Sequence, residues 1–436
     1  MNRRELMAAV AAIGMIPAAR ALAAAGDLKS AAREAWLYGL PLIEMASTRA
    51  KAIAGLGANR FGHARMLAGP KSRAVTAPNN DTLYSSAWLD LTKGPVTLTV
   101  PPTGDRYISV AGMNMYTDND FVLGTRTAGG AGGVYTIVGP GQAGSGPNVL
   151  RLATPHGWLL ARVLADGPDD LPAVRKVQDG LTLSGPAGLA PPPAYATRQS
   201  PPLEYFASVA ELLKSDPPPA TDGALFAKTA ALGLTAAGAF DPKRFDAAAV
   251  AEITAGVAEA RMALMGVRPG GVVDGWSYPR STLGFYNQDY RFRAAVALAG
   301  LAALPPAEAM YLQPATGKGR MIDGPGPWKL HFPAGRLPAV DGFWSLTMYE
   351  ATPDGQFFLV DNPIQRYSIG DRTPGLKPNA DGSLTIWIAR ADPGGEKTAN
   401  WLPAPAAGPF SLSLRAYLPK EDLRDGRYRL PPLSPG

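Results

Sequence analysis

The stretch VTLTVPPTGDRYISVAGMNMY, residues 96–116, decides the fold class. Apolar and polar residues alternate at period two on both sides of a Pro-Pro-Thr-Gly segment, which is typical of two β-strands joined by a turn. A similar run, WKLHFPAGRLPAVDGFWSLTMY, occupies residues 328–349. The two runs predict a β-sandwich in each half of the chain.

The same two runs raise the question of an internal repeat. In both, a strand, a proline turn and an aromatic-bearing strand lead to a Met-Tyr pair, which aligns Met115-Tyr116 with Met348-Tyr349. Farther along, GTRT at 124–127 corresponds to GDRT at 370–373. Duplication of one sandwich explains this likeness, and so does the common pattern of strands and turns. The sequence leaves both explanations open.

Composition places the chain among globular proteins with more than one domain. Its 436 residues exceed what one hydrophobic core usually serves, and 46% are apolar against 18% charged. The 49 Gly and 43 Pro favour short strands and many turns. Apolar residues three and four positions apart predict a helix over 28–53 and further helices between 200 and 310.

We therefore predict a mainly β fold with helices, of the α+β class, in which two β-sandwich domains are joined by a helical segment. The N-terminal sandwich, with its leading helix, is expected at 26–195. The helical connecting segment is expected at 196–310 and the C-terminal sandwich at 311–436.

Residues 1–25 have the pattern of a signal peptide. A short basic start precedes an apolar run at 6–17 and an alanine-rich string at 21–25. Arg3 and Arg4 suit twin-arginine export, and general secretion suits the segment as well. We expect a periplasmic or secreted protein. No later stretch has 18 uninterrupted apolar residues, so membrane insertion is not expected.

Several chemistries are excluded or disfavoured by residue content. The chain has no Cys, which excludes disulfides, thiolate metal sites and a cysteine nucleophile. Its net charge of +6 is scattered, which argues against nucleic acid as a partner. The three histidines lack metal-ligand spacing, and the GxGxxG at 139–144 does not open a helix. We expect no metal and no cofactor.

Longer motifs resemble two known families. The segments APNNDTLYSSAWLDL, GPVTLTVPPTGDRY and GTRTAG resemble the N-terminal domain-of-unknown-function family 1254. GFWSLTMYEATPDGQFFLVDNPIQRYSIGDR, NADGSLTIWI and NWLPAPAAGPF resemble its C-terminal companion, domain-of-unknown-function family 1214. The resemblance implies two jelly-roll-like domains with helices between them, and it implies little about chemistry.

The first candidate site follows Pro78. Asn79, Asn80 and Asp81 can bond nearby backbone N–H groups and form a turn before the next strand. Alternatively they form the rim of a ligand site on a rigid β scaffold. In that case Asp81 is an acid or base, Tyr84 a hydroxyl donor, and the two asparagines orient the substrate.

A second candidate site lies at 275–293, where Asn287, Tyr290 and Arg291 occur together. A guanidinium can hold a carboxylate while a phenol supplies a proton. The alternative is a helix capped by Asn287, with its arginines facing solvent.

Three other features complete the candidates. Arg126 could hold an anion, and Trp401 could either close one end of a sandwich or stack on a sugar or aromatic ring. The oxygen-rich MNMYTDND, residues 113–120, lacks the spacing of a calcium loop, so we expect a solvated turn there.

We favour a metal-independent hydrolase or lyase for a small anionic or hydroxylated organic substrate. Asp81, Tyr84 and Tyr290 would be its catalytic residues, acting by acid/base chemistry. The alternatives are a non-catalytic protein that binds glycans or aromatic ligands, and a structural assembly unit. A homo-oligomer is compatible with all three.

Overall fold

Two β-sandwiches and a layer of helices make up the part of the chain that the computed structural model describes, residues 27–186, 192–268, 270–316, 319–323 and 326–436. The predicted α+β class with two sandwiches is confirmed. The signal peptide predicted at 1–25 lies outside the described residues.

The N-terminal sandwich encloses its own apolar core. Its strands are β1 (Gly62–His63), β2 (Thr82–Asp90), β3 (Val96–Val100), β4 (Ile108–Asn114), β5 (Asn119–Gly124), β6 (Gly133–Val138), β7 (Val149–Arg151), β8 (His156–Leu164) and β9 (Thr182–Ser184). One sheet has the order β1-β2-β8-β4-β5 and the other β7-β6-β3-β9. Alternate side chains such as Leu98, Ile137 and Leu159 meet between them.

The C-terminal sandwich is built in the same way. Its strands are β10 (Val272–Val273), β11 (Trp276–Ser277), β12 (Ala309–Pro314), β13 (Trp328–Phe332), β14 (Trp344–Ala351), β15 (Phe357–Leu359), β16 (Ser368–Gly370), β17 (Leu384–Ala389), β18 (Trp401–Pro403), β19 (Phe410–Tyr417) and β20 (Ser434–Pro435). One sheet has the order β10-β11-β12-β19-β14-β15, with β16 also on β14, and faces β18-β17-β13-β20. Because β10 and β11 belong here, the predicted helical segment also contributes strands to this sheet.

The two sandwiches share one topology, which identifies them as structural repeats. The spatial order β2-β8-β4-β5 corresponds to β12-β19-β14-β15, and β7-β6-β3-β9 corresponds to β18-β17-β13-β20. Even the unusual parallel pairs correspond, since β6 with β7 and β17 with β18 are both parallel. Shared strand patterns alone do not produce matching parallel pairs, so duplication is the better explanation.

Several of the α-helices in the described residues cover the N-terminal sheet on the side away from its sandwich core, and others lie against the sandwich cores. The helices are α1 (Leu28–Leu56), α2 (Thr125–Ala128), α3 (Leu171–Gly180), α4 (Pro202–Ser215), α5 (Gly223–Lys228), α6 (Ala247–Met265), α7 (Tyr290–Ala299) and α8 (Glu421–Asp425). Trp88 and Leu160 of the sheet pack into the apolar cluster of α1, α4 and α6. The helix α1 begins at its cap Asp27 and runs through Pro41 without a break. In the described ranges, none of the helices has the length and apolar character that a membrane crossing requires.

Candidate functional site

A polar sheet face is buried between the two sandwiches. Along β14 and β19, Leu346 and Leu414 point into the C-terminal core, so the alternate residues Ser345, Thr347 and Arg415 point the other way. All three are nevertheless buried, because the N-terminal sandwich covers them. The period-two pattern predicts the two strands correctly, but it places such a polar face in water.

The segment after Pro78 lies on this polar face. The Ser345 hydroxyl donates to Asp81 Oδ2 at 2.7 Å, and Asn79 Nδ2 donates to the Tyr417 hydroxyl at 2.6 Å. Asn79 Oδ1 also accepts from the Asp81 backbone N–H at 2.7 Å, which is the local turn. The segment is therefore both a turn and an interdomain contact, and Asp81 is only 5% exposed.

Arg415 is the centre of the C-terminal half of this interface. Its guanidinium donates to the hydroxyls of Thr347 and Tyr349 and to the backbone carbonyl of Ala77. The negative charge of Asp81 also acts on it. Neighbours on the same sheet and from the other sandwich thus hold the Arg415 side chain in place.

Arg162 occupies the equivalent position in the N-terminal half. Arg162 lies opposite Tyr84 and Ser109 in β2 and β4, as Arg415 lies opposite Tyr311 and Ser345 in β12 and β14. Each arginine also donates through Nη2 to the carbonyl of an alanine with positive φ, Ala302 for Arg162 and Ala77 for Arg415. The repeat has therefore produced two Tyr-Arg-Ser groups that meet at the domain interface.

The two groups differ in how many hydrogen bonds the arginine makes. Arg162 is 4% exposed, and its Nε and Nη1 have no hydrogen-bond partner among the described residues. Thr347 and Tyr349, which bond Arg415, stand two and four residues beyond Ser345; the residues two and four beyond Ser109 are Ala111 and Met113, which have no hydroxyl. The same register shows that Met113, and not Tyr116, is the equivalent of Tyr349, which corrects the alignment predicted from sequence.

Other polar atoms of this sheet and of the segment after Pro78 are also unsatisfied. The hydroxyls of Thr82 and Ser109 and Oδ1 of Asn80 are buried without a partner in the described part of the chain. Buried polar groups in native proteins are usually bonded, so a group of such atoms is unusual. We call the set Asp81, Tyr84, Ser109, Arg162, Tyr311, Ser345, Arg415 and Tyr417 the interdomain cluster.

Phenols line the same cluster. Tyr84 and Tyr311 are half-buried, so solvent reaches this part of the interface. The Arg162 guanidinium lies over the Tyr84 ring, 5.2 Å from its centroid. Burial raises the pKa of the Tyr311 phenol, while Arg162 and Arg415 oppose part of that rise. Both phenols lie near enough to the Arg162 guanidinium to act on its charge.

The second candidate site lies elsewhere, in the helical layer. The Tyr290 hydroxyl donates to Asp222 Oδ1 at 2.8 Å, and Asp222 also accepts from the Tyr38 hydroxyl. Asn287 has φ of 50° and is not the helix cap, because Asp289 caps α7 instead. Arg291 is exposed and donates to the carbonyl of Ala263. None of these contacts involves the interdomain cluster.

The remaining predicted residues have structural partners. Arg126 Nε donates at 2.8 Å to Glu308, which also accepts from the Tyr107 hydroxyl, so Arg126 crosses the domain interface. Trp401 is 4% exposed and its indole N–H donates to the carbonyl of Ala389. Both observations fit the interpretation that Trp401 closes one end of a sandwich.

The segment 113–120 is not a solvated turn. Asp118 is buried, and its carboxylate accepts from Arg293 and from the Tyr286 backbone N–H. The side chain of Asp120 accepts from Asn114 and from the backbone N–H of Ala153. These carboxylates attach α7 and neighbouring loops to the sandwich, a role that the oxygen-rich composition alone does not indicate.

Sequence reasoning missed Arg162, Arg415, Tyr311 and Ser109. A signal for the arginines was present, because WLLARVL and SLSLRAY each place one arginine inside an otherwise apolar or small-residue strand. A charged residue in such a strand must find a partner across the buried face or remain unsatisfied.

Comparison with known proteins supports the two-domain organisation. A family model described as "Protein of unknown function (DUF1254)" matches residues 58–185, and one described as "Protein of unknown function (DUF1214)" matches residues 308–421. No curated protein matches the sequence.

The crystal structure of the VPA0106 protein from Vibrio parahaemolyticus is similar, with a TM-score of 0.72 and 23% identity over 94% of this chain and 100% of that one, which shows a common fold. A structure from Burkholderia cenocepacia has a TM-score of 0.44 and 15% identity over 88% of this chain and 84% of that one. The family predicted from the motifs is confirmed: the chain belongs to the proteins that join an N-terminal DUF1254 domain to a C-terminal DUF1214 domain.

Proposed function

We propose that the protein binds a small organic anion at Arg162 and acts on it as a hydrolase or lyase by acid/base catalysis. One observation carries the proposal: Arg162 is buried, yet Nε and Nη1 have no hydrogen-bond partner in the described residues. Guanidinium stays protonated in proteins, so the charge cannot be removed by titration. An anionic ligand supplies the missing acceptor atoms and the missing negative charge.

The contrast with Arg415 supports this assignment. Leaving a buried donor unsatisfied costs about 1–3 kcal/mol, and more for a charged group. At Arg415 that cost is avoided by Thr347, Tyr349 and Ala77. At Arg162 a ligand would accept the hydrogen bonds that these neighbours accept at Arg415.

Proton transfer would fall to the phenol of Tyr84. Tyr84 is half-buried and its ring lies against the Arg162 guanidinium. A positioned general acid or base contributes about 10²–10⁴ in rate. Asp81, which the sequence suggests as an acid or base, accepts a hydrogen bond from Ser345, and we assign it to positioning the interface.

Titration calorimetry and product detection test the two parts of the proposal separately. Wild-type protein, Arg162→Met and Tyr84→Phe are titrated with a panel of small carboxylates, sulfonates and phosphonates, and conversion is followed by proton NMR. We expect at least one anion to bind, Arg162→Met to bind it at least tenfold more weakly, and Tyr84→Phe to bind normally but turn over at least a hundredfold more slowly.

Arg293→Met is the matched control for binding. Arg293 is also buried, at 3% exposure, and its Nε and Nη1 likewise have no partner in the described residues, but its charge is neutralised by the ion pair with Asp118 in the helical layer. Its replacement should leave affinity unchanged. Equal affinity of Arg162→Met and wild type, or no binding by any anion, would refute the binding part; unchanged turnover of Tyr84→Phe would refute the catalytic part.

A carboxylate-binding protein without catalysis is the second candidate. Burial raises the pKa of Tyr311 and that of Tyr417, so these phenols stay neutral and donate hydrogen bonds at neutral pH. Binding without conversion in the same experiment would favour this candidate. The buried Trp401 indole gives no support to stacking on a sugar or aromatic ring.

We also propose that the protein is exported, on the basis of the basic and apolar pattern of residues 1–25. Mass spectrometry of the protein from the periplasm should show a mature N-terminus near residue 26. An intact Met1 on cytoplasmic protein would contradict export. The prediction of a homo-oligomer stays a prediction.

A further inference from the structure

We infer that the ligand is a monocarboxylate and that Ser109, together with Arg162, holds its carboxylate group. The inference rests on the proposed function, and it names the class of anion. It comes from the internal repeat, because the serine of the equivalent Ser345-Arg415 pair bonds a carboxylate, that of Asp81.

In the C-terminal half, the carboxylate that bonds the serine of the Ser-Arg pair is supplied by the chain itself. Ser345 lies opposite Arg415 on neighbouring strands, and its hydroxyl donates to Asp81 Oδ2 at 2.7 Å. Asp81 belongs to the other sandwich, so its carboxylate bonds the serine from across the interface, and its negative charge acts on the arginine without a direct hydrogen bond. The protein itself thus shows how a Ser-Arg pair of this fold accommodates a carboxylate.

The N-terminal half contains the same Ser-Arg pair without such a carboxylate among the described residues. The equivalent of Asp81 is Glu308, since the Asp81 carbonyl accepts from Ala165 N and the Glu308 carbonyl accepts from Leu418 N, each at 2.9 Å. Glu308 does not bond Ser109, because its two oxygens accept from the Tyr107 hydroxyl and from Arg126 Nε.

The Ser109 hydroxyl can therefore donate a hydrogen bond to a ligand. It is fully buried and lies opposite Arg162, as Ser345 lies opposite Arg415. Its hydroxyl lies beside the Tyr107 phenol, which donates to Glu308, and acts on that phenol, but it makes no hydrogen bond of normal geometry in the part of the chain that the structure describes. A ligand carboxylate at this position would bond Ser109 and Arg162 together.

Charge also favours a carboxylate over a phosphate. Arg162 supplies one positive charge, and a monoanion neutralises it. A dianionic phosphonate or phosphate would bring a second negative charge into a buried site, where an uncompensated charge is expensive. A planar carboxylate, finally, matches the edge of a guanidinium.

The test uses acetate, methanesulfonate and methylphosphonate, whose organic part is the same methyl group. Binding to the full-length mature protein is measured by NMR, with acetate labelled at the carboxyl carbon. We expect acetate to bind more tightly than the other two. Ser109→Ala should weaken acetate binding about tenfold, the value expected for one hydrogen bond to a charged group. Ser86→Ala is the control, because Ser86 lies on the same sheet but already accepts from the Trp158 indole.

A second variant keeps the test decisive if Ser109→Ala folds poorly. Ser109→Asp places a carboxylate opposite Arg162 within the chain, so that Arg162 gains a counter-charge, as Arg415 has one in Asp81. It should abolish acetate binding while the melting temperature stays the same or rises. Tight acetate binding by Ser109→Asp, or by Ser109→Ala, would overturn the role of Ser109.

The outcomes also separate this inference from the proposed function. Binding of methanesulfonate or methylphosphonate in preference to acetate would overturn the carboxylate assignment and leave anion binding at Arg162 intact. Failure of all three anions to bind would overturn both.

Discussion

Arg162 and Arg415 occupy equivalent positions in two repeated sandwiches, but Arg415 donates to two side-chain hydroxyls, whereas Nε and Nη1 of Arg162 have no hydrogen-bond partner in the described residues. Ala111 and Met113 stand beside Arg162 where Thr347 and Tyr349 stand beside Arg415. One copy of the repeat thus stabilises the domain interface, and we propose that the other keeps buried donors available to a ligand.

Stability should respond differently to loss of the two arginines. Arg415→Met should destabilise the protein by about 3 kcal/mol, because it leaves Asp81 without its counter-charge and two hydroxyls without their donor. Arg162→Met should be neutral or stabilising, since it removes a buried charge that has few partners. Urea unfolding of both variants without added anions measures the difference, and equal losses would contradict the asymmetry.

The contact between Asp81 and Ser345 should couple the two sandwiches energetically. Asp81→Asn and Ser345→Ala act on one hydrogen bond, so the double variant should lose less stability than the sum of the single variants, with a coupling of about 0.5–3 kcal/mol. Urea unfolding of the three variants gives the coupling directly. Additive effects would mean that the two side chains do not interact in solution.

Tyr290→Phe separates the helical layer from the interdomain cluster. The variant loses the hydrogen bond to the buried Asp222, so it should lower stability by about 1–3 kcal/mol. Anion affinity should stay at the wild-type value, because Tyr290 contacts Asp222 and Tyr38. A loss of affinity without a loss of stability would place the site around Tyr290 instead.

Stability should fall as the pH rises towards neutrality, because of Asp120. Burial raises the pKa of Asp120 to about 7, against the hydrogen bonds from Ala153 and Asn114. The folded state therefore binds this proton more tightly than the unfolded chain does. Its stabilising contribution is complete below about pH 4, the ordinary value for Asp, and is lost as the pH passes about 7.

Replacement of Asp120 checks this pH dependence. Asp120→Asn removes the titrating group, so the difference in unfolding free energy between about pH 4 and pH 8 should shrink by up to about 4 kcal/mol. Asp105→Asn, at an exposed position, is the control and should leave the difference unchanged. An unaltered pH dependence in Asp120→Asn would refute the assignment.

Much of the fold can be predicted from the sequence, because strand patterns and helix patterns are local. The strands at Val96–Val100, Leu384–Ala389 and Phe410–Tyr417 and the helix from Leu28 all follow from the spacing of apolar residues. The repeat is visible as similar segments, but its register is not. Alignment by the Met-Tyr pairs is offset by three residues, because only the pairing of Ser109 with Arg162 and of Ser345 with Arg415 fixes the equivalence.

The candidate site is only half predictable, since its residues come from both sandwiches. The polar run after Pro78 is recognisable as unusual, and it does lie at the interface. Arg162 and Arg415 are more than 70 residues from it in sequence, and the alternation that identifies their strands assigns the polar face to solvent. Only the packing of one sandwich on the other shows that this face is buried.

A crystal structure of the protein with acetate tests the central claim most directly. We predict the acetate carboxylate between the Ser109 hydroxyl and the Arg162 guanidinium, with the methyl group towards Tyr84 and Tyr311. Acetate bound only elsewhere, for example in the surface cleft lined by Arg126, Lys420 and Arg424, would contradict the claim that Arg162 is the anion-binding residue.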